Sequence, residues 1–318
     1  MRLYFDNNVY GQIQDNREAE SIRRWLRDNG HDLVASDEAN LGEALAIKDT
    51  IRRAERVQLI QAVATWARPP SDLAMAEELF REVARCHPEW VRAYPSHRSK
   101  KLYLRERRGQ SWDALRADPT TFSERGQRQL EAIDKVLDAN KAAQKTRREL
   151  RRQGDFGLHT DDPELKAALK DCPKTELHYR VDMYHNYLLG LADPVTPSAD
   201  TEWLAPLLRV DEMFRNEARE WRRFCALELE PLRTPVNLLY DMVSYCQETT
   251  GGGPAGHGST VDRIHAVYLW SCDAVVTGDE GLFFAMKCAI EMAPHRGRPI
   301  KVLMEGTSIT HQLDEAIR

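Results

Sequence analysis

The sequence has few of the features that mark several common protein classes. Its six cysteines are scattered, and no two of them stand in a C-x-x-C arrangement. We therefore predict neither a zinc site nor a disulfide framework, and interpret the cysteines as small buried side chains or free thiols. No apolar run approaches the length that crosses a bilayer, and the N-terminus lacks a charged, apolar and small-residue leader. These absences predict a cytoplasmic protein that does not associate with membranes.

The chain also lacks a strong excess of charge of one sign. Its 45 Lys and Arg against 50 Asp and Glu give a net charge of −5, which does not favour nucleic acid or membrane globally. One segment differs, because 98–152 holds 16 Lys and Arg against 8 Asp and Glu. Such a segment is either a footprint for phosphates or a solvated helix face, and the composition leaves both open. The candidate substrate-binding cations in it are Lys100, Lys101, Arg105, Arg107 and Arg108.

Strand and helix patterns alternate at both ends of the chain and not in its middle. Strands are predicted at Met1–Phe5, His31–Ala35, Ala274–Thr277 and Ile300–Met304, with amphipathic helices between them. The middle has helical stretches, including 124–153 and 201–229, punctuated by prolines. The simplest prediction is one α/β domain with a parallel sheet, made of 1–66 and 259–318, that is interrupted by a helical insertion, 67–258.

A glycine-rich run, "TTGGGPAGHGST" at Thr249–Thr260, separates the helical middle from the last part of the chain. Its backbone amides would suit a phosphate cradle, but it lacks the G-K-[ST] ending of a P-loop. A flexible connector is the plainer interpretation, and the sequence leaves both open.

Acidic side chains follow two of the predicted strands. Asp6 comes directly after the first strand, and Asp279 follows the strand at Ala274–Thr277. Ligand sites of parallel α/β sheets form beyond the carboxyl ends of the strands, and Asp262 and Glu43, near helix starts, can reach the same edge. Several carboxylates at one place need a cation to neutralise them, and oxygen ligands suit Mg²⁺ or Mn²⁺. Each acid also has an ordinary role as a helix cap or surface residue.

These motifs resemble the PIN-domain nucleases. "LYFDNN" is similar to the opening strand and first aspartate of that family, "LGEAL" to its glutamate helix, and "VDRIHAVYLWSCDAVVTGDEGLF" to its closing segment with T-x-D. The resemblance covers only the two ends of the chain. It implies a parallel sheet sandwiched by helices, Mg²⁺- or Mn²⁺-dependent cleavage of RNA, and a catalytic metal-binding set. That set is Asp6, Glu43, Asp262 and Asp279, with Asn7 and Thr277 contacting the ligands or the substrate.

Two other functions remain open at this stage. The long helical insertion motivates a degenerate PIN-like domain that binds RNA or protein without cleaving. A phosphohydrolase with Asp6 as covalent nucleophile is disfavoured, because such enzymes usually carry a second aspartate where this chain has Asn8. An inhibitory protein partner, as small nucleases of this family often have, and a homodimer formed through the insertion are further expectations. His265, on an apolar helical face, is predicted to be a packed core residue rather than a general base.

Overall fold

A computed structural model of the chain describes residues 1–36, 39–64, 66–68, 71–108, 112–118, 163–192, 199–249, 257–303 and 307–317. Its centre is a five-stranded sheet with the order β3-β2-β1-β4-β5, in which every neighbouring pair is parallel. The strands are β1 Arg2–Phe5, β2 Asp32–Ser36, β3 Trp66–Arg68, β4 Ala274–Thr277 and β5 Arg298–Lys301. Since β1 pairs with β2 on one side and β4 on the other, the first and last parts of the chain meet in one sheet. The predicted α/β class is confirmed.

Fifteen α-helices are described, and short 3₁₀ or π segments join several of them. In the first part of the chain they are α1 Asn7–Asp15, α2 Ala19–Asp28, α3 Asn40–Leu45 and α4 Thr50–Val63. The middle contains α5 Ser71–Cys86, α6 His97–Arg108, α7 Ala114–Ala117, α8 Pro163–Lys170, α9 Lys174–Tyr187, α10 Val210–Met213, α11 Arg215–Arg223 and α12 Pro235–Thr249. The last part has α13 His257–Val267, α14 Glu280–Ala289 and α15 Ile309–Ile317. Within the described residues, no helix is both long and apolar enough to cross a membrane.

Both faces of the sheet are covered, because alternate strand residues point to opposite sides. Leu3 and Phe5 of β1 pack into a core with the apolar faces of α1, α2, α4 and α15. Tyr4, between them in sequence, packs on the other side into a larger core with α5, α9, α12 and α14. The continuous apolar run of β4 is fully buried, as is typical of a central parallel strand.

Helix α1 begins directly after β1, at residues that the sequence pattern did not single out as helical. The Asp6 side chain accepts hydrogen bonds from the backbone N–H groups of Asn8 and Val9 and so caps a helix that begins at Asn7. Asn and Gly are poor helix formers, so local propensity hides this helix. Burial of Val9 and Tyr10 stabilises it instead.

The predicted long helix over 201–229 is wrong. It is divided into several short helical segments, and Asn216, Glu217 and Ala218 have left-handed backbone conformations with φ near 54° to 58°. The predicted helix over 124–153 and most of the glycine-rich run at Thr249–Thr260 lie outside the described residues.

The cysteines give another correction. Cys246 of α12 and Cys288 of α14 form a disulfide, with their Cα atoms 6.2 Å apart. Cys86, Cys172, Cys225 and Cys272 carry reduced thiols in the structure. The pair stands 42 residues apart in sequence, so spacing alone gave no sign of it, and the packing of α12 on α14 brings the two together.

Candidate functional site

The chain turns from strand to helix twice at one corner of the sheet, and each turn is capped by an acid. Asp6 follows β1 and caps α1, while Asp279 follows β4 and caps α14 by accepting a hydrogen bond of 2.7 Å from the backbone N–H of Leu282. Because β1 and β4 are parallel neighbours, their carboxyl ends lie side by side. The two capping acids are therefore brought to the same edge from opposite ends of the chain.

Thr277 and Asn8 fix these two turns to each other. The Thr277 hydroxyl donates to Asp6 Oδ2 and accepts a 2.9 Å hydrogen bond from the backbone N–H of Asp279. Asn8 Oδ1 accepts a 2.8 Å hydrogen bond from the backbone N–H of Gly278. Thr277 is fully buried, so its hydrogen bonds are shielded from water and fix the Asp6 carboxylate relative to the backbone of Asp279.

A cavity of about 530 Å³ opens at this corner. All four acids of the predicted metal-binding set line it, and so does Asn7. The complete lining is Asp6, Asn7, Asn8, Gly11, Gln12, Asp15, Asn16, Glu43, Arg56, Asp262, His265 and Asp279. The structure thus brings together acids that the sequence separates by more than two hundred residues. Asp262 differs from the expectation in one detail, because it lies within α13 and not at its start.

Burial disfavours ionisation of two of the acids, Asp262 and Asp6. Burial raises the pKa of Asp262 from 3.8 to about 7, and the neighbouring carboxylates add to this effect while His265 opposes it. Burial likewise raises the pKa of Asp6 to about 6. Among the described residues, no Lys or Arg forms an ion pair with Asp6, Glu43, Asp262 or Asp279. The cavity therefore crowds four acids, and the ion pair they form among the described residues is the one between Glu43 and His265.

His265 connects the acids to the core. Its Nε2 lies 2.9 Å from Glu43 Oε2, and its Nδ1 lies 2.7 Å from the Tyr4 hydroxyl. Burial lowers the pKa of His265, but the hydrogen bond and charge of Glu43, together with the charges of Asp6 and Asp262, leave that pKa raised. The Tyr4 ring is stacked on Tyr268 with centroids 4.2 Å apart. His265 is buried, as the sequence predicted, but it also lines the cavity and orients Glu43.

The carboxylate oxygens differ in how many hydrogen bonds they already accept. Asp6 accepts four, two on each oxygen, from Asn8, Val9 and Thr277. Within the described part of the chain, one oxygen accepts none in each of three acids: Glu43 Oε1, Asp262 Oδ1 and Asp279 Oδ2. These open oxygens are hard donors that suit Mg²⁺ or Mn²⁺. No three His, Cys, Asp or Glu side chains of the described residues are already arranged so that they could hold a metal ion, so binding requires side-chain movement or bridging water.

The predicted substrate-binding cations lie on α6, apart from the residues that line the cavity. Lys100 pairs with Glu77 of α5, and Arg107 lies 3.5 Å from Asp72 at the start of the same helix. Lys101 and Arg105 are exposed, and Arg108 is the last residue of α6. The basic residues beyond 118 in this segment lie outside the described residues.

Sequence reasoning missed Arg56, which lines the cavity, and Tyr4, the buried partner of His265. Arg56 stands on α4, where Arg52 and Arg53 give the same local signal and only the packing of α4 on α1 distinguishes them. Tyr4 lies inside an apolar strand, and the hydrophobic pattern of the strand gives no indication that its hydroxyl has a partner.

Comparisons with known proteins complete the description of the site. No family model, no curated protein and no solved structure matches this chain. The resemblance to PIN-domain nucleases therefore stays a sequence-based prediction.

Proposed function

We propose that the protein is a divalent-metal-dependent endoribonuclease with a PIN-like α/β domain, and that the acidic cavity is its active site. One observation carries the proposal: four carboxylates from both ends of the chain line one cavity, and no Lys or Arg of the described residues pairs with them. Proteins rarely crowd four acids around one cavity unless a cation or a reaction uses them. The proposal includes the division into a discontinuous domain, 1–66 with 259–318, and a helical insertion, 67–258.

Mg²⁺ or Mn²⁺ would be held through the open oxygens of Glu43, Asp262 and Asp279. When bound, the cation would supply an activated water and neutralise charge on a phosphodiester. Asp6 would hold a bridging water or free an oxygen through movement of the Asn8 amide, while Thr277 keeps Asp6 and Asp279 in register. His265 would keep Glu43 turned into the cavity.

RNA is the proposed substrate, with α6 as an outer binding surface. A cytoplasmic location, an inhibitory protein partner and a homodimer belong to the same proposal, and they rest on the sequence alone.

The alternative is a catalytically degenerate PIN-like module that binds RNA or protein. One observation favours it: the donors around Asp6 already occupy both of its oxygens, and no preformed ligand group stands among the described residues. A domain that no longer bound a metal would retain an aspartate whose two carboxylate oxygens accept hydrogen bonds from its own chain.

Cleavage of labelled single-stranded and structured RNA in Mn²⁺, with and without a chelator, tests the proposal. Mutations of the residues that surround a metal's direct ligands typically reduce activity by roughly 10- to 100-fold. We expect Asp262→Asn and Asp279→Asn, which remove proposed direct ligands, to reduce activity by more than that. Asp211→Asn, an exposed acid of α10, is the matched control and should remain active. Circular dichroism should show that all three variants fold.

Full activity in both cavity variants would refute the proposed active site. If the wild-type protein binds these RNAs but cleaves none of them in Mn²⁺, the binding module becomes the better description.

A further inference from the structure

Arg56 is a buried cation on the wall of the acidic cavity, and its charge has no carboxylate partner. Only 5% of the residue is exposed, and no Asp or Glu among the described residues forms an ion pair with it. Its Nε donates 2.8 Å to Gln14 Oε1, and its Nη1 donates 3.0 Å to the backbone oxygen of Asn7. Nη2 donates to no group of the described chain.

A guanidinium buried in this way is costly. Arginine is rarely buried unless its charge is paired, because taking a cation out of water carries a large desolvation penalty. Burial lowers the pKa of Arg56, and nearby Arg52 adds to that effect, while Asp15 and Glu43 act against it. Amide and carbonyl oxygens orient the side chain, but they leave its positive charge available to an anion.

Gly11 of α1 makes room for this guanidinium. A Cβ atom built at Gly11 would lie 3.1 Å from Arg56 Nη2 and 3.5 Å from Nη1. Glycine inside a helix costs about 1 kcal/mol relative to alanine, so the position sacrifices helix stability. A Cβ atom at position 11 would therefore require the Arg56 guanidinium to shift by a few tenths of an ångström.

We propose that Arg56 is the phosphate-binding residue of the cavity and that its free Nη2 takes a backbone phosphate of the RNA strand. This inference rests on the proposed function. A cavity lined with four carboxylates repels a polyanion, so a strand can enter only if cations offset that repulsion. Arginine suits the task because its planar fork donates to phosphate oxygens while its other nitrogens stay anchored. Lys100 and Arg107 of α6 are already paired with carboxylates, whereas Arg56 is not.

The test measures RNA binding apart from cleavage. Anisotropy of a short fluorescein-labelled single-stranded RNA is titrated in Ca²⁺, and again in EDTA, with the full chain. Loss of a charged hydrogen bond should weaken binding by about tenfold or more in Arg56→Gln. The slope of log K against log salt should fall by about 0.7, as expected for one lost phosphate contact. Arg24→Gln, an exposed arginine of α2, is the matched control and should bind like the wild type.

Two further variants keep the test decisive if Arg56→Gln does not fold. Arg56→Lys retains the charge but loses the fork, and we expect weaker binding with a nearly unchanged salt slope. Gly11→Ala retains Arg56 and favours the helix, so a merely structural role of Arg56 predicts unchanged RNA binding and equal or higher stability. Our inference predicts weaker binding in Gly11→Ala, because the new methyl group would push Nη2 by a few tenths of an ångström from its position in the cavity.

Wild-type affinity in Arg56→Gln, or in both other variants, would overturn the inference. If RNA binding depends on Arg56 but the wild-type protein never cleaves, only the nuclease proposal fails. If cleavage depends on Asp262 and Asp279 but RNA binding ignores Arg56, only this inference fails.

Discussion

Asp262 has the larger of the two raised pKa values among the cavity acids. Its titration should therefore change the stability of the protein with pH. Its pKa is about 7 in the folded protein and near 3.8 when unfolded. A raised acid means that the folded state binds more protons, so the free energy of unfolding falls as pH rises between about 4 and 7. In Asp262→Asn, the decrease in the free energy of unfolding over this pH range should be smaller than in the wild type by about 1 to 3 kcal/mol. This range allows for the partial exposure of Asp262.

Urea unfolding in EDTA at pH 5 and pH 8 measures this difference. Asp211→Asn serves as the control for other titrating groups, since its profile should run parallel to the wild type. Identical pH profiles for wild type and Asp262→Asn would contradict the electrostatic description of the cavity. Added Mg²⁺ should stabilise the wild type at pH 8 and have less effect on Asp262→Asn.

Tyr4 gives a second test at the residue scale. Tyr4→Phe removes the hydroxyl that lies 2.7 Å from His265 Nδ1 and leaves a buried ring nitrogen without a partner. We expect a loss of about 1 to 3 kcal/mol in the free energy of unfolding. Tyr94→Phe, at a position that is 68% exposed, should change stability little. Equal stability of the two variants would show that the hydrogen bond does not hold His265.

At the scale of elements, the turn that opens α11 can be tested because its backbone is left-handed. Glu217 is exposed and has φ 57°, a conformation that glycine adopts without the steric cost paid by other residues. Glu217→Gly should therefore raise the free energy of unfolding by up to about 1 kcal/mol. Glu220→Gly, exposed in the right-handed part of α11, should lower it by about 1 kcal/mol. Thermal unfolding of both variants measures these changes. A lower stability than the wild type in both variants would refute the left-handed turn.

The elements that the sequence predicted share strong local signals. β4 is a short apolar run bounded by acids, and the structure has it at the predicted residues. β5 lies two residues earlier than predicted at its start, because an edge strand tolerates Pro299, which a sequence pattern treats as a break. β3 has only three residues and α1 has weak propensity, so both depend on tertiary packing that no local window contains.

The residues of the candidate site also differ in whether a local sequence signal or only tertiary packing reveals them. Asp6 and Asp279 are recognisable because they end strands, whereas Arg56 and Tyr4 acquire meaning only when α4 and β1 are packed against their neighbours. The basic residues of α6 gave a clear sequence signal but line another part of the molecule, since charge composition carries no information about position.

At the scale of the whole molecule, the disulfide joins α12 to α14 on the side of the sheet that carries the larger core. Closing a loop of this length restricts the unfolded chain, so reduction should lower the free energy of unfolding by about 2 to 4 kcal/mol. Urea unfolding with and without a thiol-free phosphine reductant measures it. Cys288→Ser is the control and should not respond to the reductant. An unchanged unfolding midpoint in the reduced wild type would show that the bond does not form in solution.

The pairing of β1 with β4 also sets when the cavity can exist. Thr277, which fixes Asp6, is 271 residues away from it, and a ribosome adds about 5 to 20 residues each second. Asp6 is therefore synthesised tens of seconds before the segment that completes its surroundings, and a nascent chain exposes an unpaired edge of β1 during that interval. Premature termination before β4 would yield a fragment without Asp262 held beside Asp6. Such a fragment would be prone to aggregate through the exposed edge of β1.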